Sequence, residues 1–384
     1  MSILGSFYSR SSQSDGEIHF SHEEGGNDLA IQFSKDWIPI TAATQNVRDC
    51  DVGEIISVID KYSRYIPETK RGRAVLFSYV PVDGHFEMPG RFRIMPVPAD
   101  WPHPPQITGR YPFLLEYEYS SHFDNYIEIT RQLHAERMCE LILSLLVNGD
   151  IASIPKETTS VWVAVPELGY RTCHAQIGYH ENVNTVDAEA VMAETRAIRF
   201  VDTNQYYNRA RGIGPDDRME MPGNIVAMIN AFYSLELDQQ VAYLRALYWF
   251  QKPIVGIALG RSATALFYAT AIEALIPPTK MGDVCKSCNR PSKPGPTKAF
   301  VEFVDQYSGH SLTHKERKKI YGTRSDLSHG ARLFLQDELW GMQDPKVMTE
   351  MWDLKAISQV CRFTLINWLA EKIAPVGEGD AVVQ

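Results

Sequence analysis

Arg324 and His329 stand five positions apart in the stretch from Lys318 to Leu333, and Gly330 follows them. A guanidinium is permanently charged and forked to grip phosphate oxygens, while an imidazole gives or takes a proton near neutral pH. A pair of this kind can cleave an RNA phosphodiester without a metal ion. The spacing alone says little, because 23 arginines and 11 histidines placed at random in 384 residues give about 0.7 such pairs. The surrounding elements must carry the argument.

From Thr313 to His329 the residues suit a helix, with Thr313 as N-cap, Glu316 as its capping-box partner and Gly330 as the stop. Ile320 and Leu327, with Tyr321, fall on one side of it, and Arg324 lies four positions after Ile320. Upstream, the segment from Phe267 to Ile276 ends a long apolar helix and contains Glu273-Ala274-Leu275. A Glu-Ala-Leu helix end followed by Tyr321, Arg324, Ser325, His329 and Gly330 resembles the Apea-like branch of the HEPN superfamily. The resemblance covers Asp238 to Ala374 and leaves the first 230 residues unaddressed.

The resemblance implies a C-terminal helical bundle and a metal-independent endoribonuclease. His329 would serve as general acid or base around the ribose 2′-hydroxyl and the leaving 5′-oxygen, and Arg324 would hold the charge developing on the phosphorus oxygens. The products would be a 2′,3′-cyclic phosphate and a 5′-hydroxyl. One histidine does not easily serve both sides of the phosphorus, so the resemblance also implies a homodimer through the C-terminal helices. Ser325 fits the motif. Asp326 either orients the histidine or faces water, Glu273 either pairs with Arg324 or caps a polar edge, and Tyr321 packs or contacts phosphate. The resemblance further implies an effector of a prokaryotic defence or toxin system, with an N-terminal region that would receive a trigger. A catalytically silent HEPN module that binds RNA or nucleotides, and a structural adaptor, are the competing readings.

The net charge of −9 opposes RNA binding until its distribution is considered. Between Lys280 and Arg332 there are 11 Lys and Arg against five acids, so this segment carries +6 and the remainder −15. Lys315, Lys318, Lys319 and Arg332 are the candidate RNA-binding residues, against the alternative of a solvated helix face. At 384 residues, 44% hydrophobic, the chain is long enough for two cores. Six scattered cysteines suit reduced thiols, and the first residues lack a basic segment followed by an apolar run, so a cytoplasmic protein is expected. Ile254 to Ile276 has the length of a membrane span, but Arg261 and Glu273 interrupt it, and a buried core helix is expected there.

The expected fold class is α+β, a mixed β-rich N-terminal module followed by an all-α HEPN-like bundle. Strands are expected at Ala30–Phe33, Ala74–Val80, Phe92–Met95 and Thr159–Val165, and an amphipathic helix from Asp124 to Val147. The polar, glycine-containing stretch from Asn204 to Pro222 is the expected linker. This gives an N-terminal region over 1–222, a helical domain over 223–376 and a flexible tail over 377–384. Helices are expected at Gln239–Gln251, Val255–Ile276, Thr297–Tyr307, Thr313–His329 and Pro345–Ala374, with Trp352 and Trp368 in the core.

Cys285 and Cys288 form a Cys-x-x-Cys turn in a proline-rich loop. Structural zinc takes four ligands, and the nearest further ones are His310 and His314. Free thiols in a surface loop are favoured over that Cys2His2 site, since a helix leads directly away from the loop toward the histidines. The catalysis that the resemblance implies for Arg324 and His329 would require no cofactor.

Overall fold

Short apolar runs separated by turn formers make the first third of the chain a set of strands. Four of them, β1 (Arg10–Ser14), β2 (Glu17–Ser21), β3 (Asp28–Phe33) and β4 (Pro39–Gln45), pair antiparallel in sequence order. The structure is a computed structural model. It describes the backbone of these four strands and residues 65–99, 101, 111–153, 183–209, 217–255, 260–277, 295–309, 313–338 and 344–373. The strand expected at Thr159–Val165 lies outside the described residues.

A second sheet has five strands in the order β5 (Thr69–Ser78), β8 (Tyr111–Ser120), β7 (Phe92–Pro96), β6 (Gly84–Met88) and β9 (Arg196–Ala197). Strand β7 runs antiparallel to both β6 and β8, and β9 adds to β6 in parallel. Period-two alternation puts Val75 and Phe77, Met95 and Val97, and Leu114 on one face, where they bury with Trp101, Val183 and Ala188. The opposite face buries Leu76, Ile94, Leu115 and Tyr117, and the Tyr117 hydroxyl donates to Glu136 of helix α1 (Asn125–Leu146) at 3.0 Å. Asp124 caps that helix by accepting from the N–H groups of Tyr126 and Ile127. Helices α2 (Ala188–Glu194) and α3 (Thr203–Asn208) follow, with a parallel pair β10 (Phe200–Val201) and β11 (Met221–Pro222). The expected linker is therefore structured at both ends: Tyr206, Tyr207, Met219 and Met221 are buried.

The rest is helical: α4 (Ile225–Tyr233), α5 (Leu237–Val255), α6 (Arg261–Glu273), α7 (Pro296–Tyr307), α8 (His314–Ser328) and α9 (Val347–Ala370). The protein is α+β, with sheets preceding a helical region, as its sequence pattern predicts. Helix α6 packs against α5, α8 and α9, and α7 packs against α8 and α9. Tyr243 of α5 stacks on Trp368 of α9 at 5.3 Å between ring centroids, and its hydroxyl donates to the Leu365 carbonyl. Trp352 departs from expectation. It is 63% exposed.

Contacts divide the chain into two compact units, residues 1–70 with 119–133 and residues 71–118 with 134–384. Within the second, the guanidinium of Arg362 on α9 donates to the Leu145 carbonyl at 3.0 Å and to Asn148 Oδ1, tying α9 to the end of α1. No helix among the described residues is long and apolar enough to cross a membrane. Cys139 and Cys361 are free and buried, and burial pushes the Cys139 thiol up to about 12.

Candidate functional site

Helix α8 begins as its sequence prescribes. The Thr313 hydroxyl accepts from Glu316 N–H at 3.3 Å, and Glu316 Oε2 accepts from Thr313 N–H at 2.7 Å, the two halves of a capping box. It ends on Gly330 at φ +67°, a left-handed conformation that costs an L side chain but not glycine. Gly330 N–H reaches the Leu327 carbonyl and Ala331 N–H the Asp326 carbonyl, the paired bonds of a Schellman cap. His329 is the capping residue itself, and its imidazole is exposed.

The inward side of α8 buries Ile320, Thr323 and Leu327 and half-buries Tyr321, whose ring lies 5.2 Å from that of Phe300 on α7. That contact makes Tyr321 a packing residue between two helices. Arg324 sits one turn after Ile320 at the edge of this side, with its guanidinium 6.0 Å from the Tyr321 ring centroid. It donates from Nη2 to Glu273 Oε2 at 2.8 Å and from Nη1 to Ser328 Oγ at 3.4 Å. Of the two roles open to Glu273, the structure shows the pairing with Arg324. Ser325 is half-buried, and its carbonyl accepts from Ser328 Oγ and from His329 N–H. Asp326 is exposed, with Arg332 Nε 3.7 Å away, and Arg332 Nη2 donates to Thr323 Oγ1 at 3.0 Å.

The basic residues of α8 divide into committed and uncommitted groups. Arg317 is 9% exposed and forms an ion pair with Asp305 of α7, and Lys319 reaches both carboxylate oxygens of Asp353 on α9 at 2.6 and 2.8 Å. Lys315 and Lys318 are exposed and make no ion pair with a described residue. Part of the positive charge on α8 is thus interhelical packing, while Lys315 and Lys318 face solvent.

The position of α6 rests on a residue that the sequence does not single out. Asp337 accepts from Arg261 N–H at 2.8 Å and Ser262 N–H at 2.6 Å, so it caps α6 from 76 positions away in the chain. Gly260 makes room for it, since a Cβ there would meet Asp337 Oδ1 at 2.7 Å. Ser262 Oγ in turn accepts from Phe334 N–H. The segment that leaves α8 after His329 is thereby pinned to the start of α6, whose far end carries Glu273.

Of the zinc candidates, Cys285, Cys288 and His310 lie outside the described residues. His314 is exposed, with Nδ1 3.9 Å from Asp305. Among the described residues no group of three or more His, Cys, Asp and Glu is placed to hold a metal ion. No protein-family model, curated protein or solved structure matches the chain.

Proposed function

We propose that the protein is a metal-independent endoribonuclease of HEPN type, with Arg324 and His329 as its catalytic residues. The observation that carries this reading is the state of the pair: Arg324 is held by Glu273 and Ser328 at the helix edge, while the His329 imidazole stands exposed at the cap of the same helix. A held guanidinium loses less freedom on meeting a phosphate, and an exposed imidazole can approach a ribose hydroxyl. Lys315 and Lys318 lie about 21 and 17 Å along the axis from His329 at 1.5 Å per residue, so they would grip RNA away from the scissile bond. Arg332, close to Thr323, would act nearer to it.

Five residues along a helix correspond to about 7.5 Å of rise and about 140° of rotation, so one chain presents its two groups on different sides of the helix end. A second copy facing the first would complete the site. Met348, Met351 and Trp352 on α9, spaced by three and four, are exposed by 58, 43 and 63%, an apolar surface suited to such a dimer. The resemblance further suggests a defence or toxin effector, with a trigger received by the N-terminal region. The test is digestion of RNA in excess EDTA with mapped ends. Cleavage to cyclic phosphate and 5′-hydroxyl termini is expected, and Arg324→Ala and His329→Ala should abolish it with helical circular dichroism unchanged. Activity that returns only with added magnesium would refute the reading.

One observation favours a second reading. The Arg324–Glu273 bond joins α8 to α6, and an arginine kept for that bond alone would serve a structural adaptor without nuclease activity.

A further inference from the structure

Far from helix α8 in sequence, one face of the five-stranded sheet carries a row of charges at the end opposite its apolar core. Arg71 and Arg73 alternate on β5, Arg93 lies on β7, and Glu116 on the intervening β8 is in register with Arg93. These side chains, with Asn184 and residues 186–189, line an open cavity of about 420 Å³, within the size range of small-ligand sites. Glu116 is 3% exposed and is gripped by Arg73 Nε at 2.7 Å and by Arg93 Nε and Nη2 at 2.8 Å. Arg73 also donates from Nη1 to the Val186 carbonyl at 2.6 Å, which fixes its plane.

A buried carboxylate neutralises one guanidinium, and here it orients two. The third is held more loosely: Arg71 forms ion pairs with Glu116 at 3.5 Å and Glu118 at 3.6 Å without a hydrogen bond to a described residue, and its side chain is 53% exposed. The remaining acids are accounted for. Asp187 accepts from Glu189 and Ala190 N–H as the cap of α2, and Glu189 bonds Arg93 Nη1 at 2.7 Å from a side chain that is 74% exposed. Glu189 is thus a solvated carboxylate lying on a guanidinium at the cavity rim, the position an incoming anion would take. Forked, permanently charged donors held in plane suit the oxygens of a phosphate monoester.

We propose that this cavity binds a small phosphorylated ligand, with Arg71 and Arg93 on its phosphate and Glu189 as the anion it displaces. The site is separate from Arg324 and His329, and it stands whether or not the protein cleaves RNA.

The test is calorimetric titration of the full-length protein with inorganic pyrophosphate and with adenosine 5′-monophosphate, at low and moderate salt. At least one probe is expected to bind. Arg71→Gln should weaken it at least about tenfold, the loss of one charge-assisted contact, and Glu189→Gln should tighten it about threefold by removing the competing anion. Neither change should lower the melting temperature of the unliganded protein by more than about 2 °C, since both side chains are largely solvated. An arginine network that serves only the fold makes no opposite-signed prediction. Failure of both probes to bind at millimolar concentration, or equal affinity in the parent and both variants, overturns the proposal. So does a loss of RNA binding in Arg71→Gln without binding of either probe, which would make the cavity part of a nucleic-acid surface.

Discussion

Glu273, the last residue of α6, accepts a hydrogen bond from Arg324 of α8 at 2.8 Å, so the candidate phosphate-binding group is anchored to a different helix from the one that carries it. Both side chains retain 29 and 26% of their exposure. A pair this solvated is worth about 0 to 1 kcal/mol. Its loss is therefore expected to leave the fold intact, so an effect on the proposed cleavage would be readable without a stability correction.

Glu273→Gln keeps the shape and removes the charge. If Glu273 positions Arg324 for catalysis, single-turnover cleavage should fall about tenfold, with the larger effect on the chemical step than on RNA affinity. Arg324→Lys should fail to restore the rate, since a lysine lacks the fork. If Arg324 is only an interhelical contact, Glu273→Gln, Arg324→Lys and the parent will share one cleavage rate, or none. Thermal melts of all three should agree within about 1 kcal/mol in either case.

Asp337 provides a pH-dependent contribution to stability. Burial pushes its carboxyl up, but hydrogen bonds from the Ser262 hydroxyl and from the N–H groups of Ser262 and Arg261 outweigh this and leave it below its ordinary value. A folded value below the unfolded one, about 3.9, means the cap contributes fully above that pH and is lost as the pH falls through the folded value. Asp337→Asn should cost about 1 kcal/mol in urea unfolding at pH 7 and progressively less below about pH 4. Gly260→Ala should cost at least as much at pH 7, because its Cβ would displace the same carboxylate. A pH-independent deficit for Asp337→Asn would show that the charge is not what caps α6.

These elements were unequally legible in the sequence. The limits of α8 could be read because its signals are local: Thr313 and Glu316 at one end and Gly330 at the other form bonds within six residues of themselves. Helix α4 gave no comparable signal. Its nine residues, Ile-Val-Ala-Met-Ile-Asn-Ala-Phe-Tyr, are apolar almost throughout and too few for periodicity to separate a helix from a buried strand, and Asn224 makes no side-chain cap. The Asp337 cap spans 76 positions and depends on a turn whose path no local pattern fixes. Trp352 shows the opposite failure. Residue type predicted burial, and the position on the outer side of α9 overrode it. The pairing of Arg324 with Glu273 was open in the sequence because spacing places both on helix ends without orienting one helix against the other.

Glu140 on α1 is 2% exposed and accepts four hydrogen bonds from three residues: Arg137 at 2.6 Å, Ser153 N–H at 2.7 Å and Oγ at 3.0 Å, and Gln251 Nε2 of α5 at 2.9 Å. Gln251 is itself fully buried, so deleting the carboxylate strands a donor in the core. Glu140→Ala should cost about 3 kcal/mol or more in chemical denaturation, and Glu140→Gln less, because the amide still accepts from Gln251. A loss below about 1 kcal/mol for the alanine variant would mean that water replaces the network and that α5 does not depend on it.

The proposed dimer would give the most direct separation between the proposed nuclease and a silent or structural module. Lys319 and Asp353 lock α8 to α9 beside the exposed Trp352, so a partner chain covering Trp352, Met348 and Met351 on α9 would approach the helix next to α8, which carries the proposed catalytic residues. Trp352→Glu places a charge in the middle of that surface while leaving the packed side of α9, with Leu365 and Trp368, untouched. Light scattering should report twice the chain mass for the parent and a single chain for the variant, with cleavage falling together with mass. Mixing Trp352→Glu with an excess of His329→Ala should not restore activity, since the first chain cannot seat on its partner and the second brings no histidine. A parent that remains monomeric at tens of micromolar yet cleaves RNA at full rate would show that one Arg324 and one His329 suffice, and the twofold arrangement would have to be abandoned.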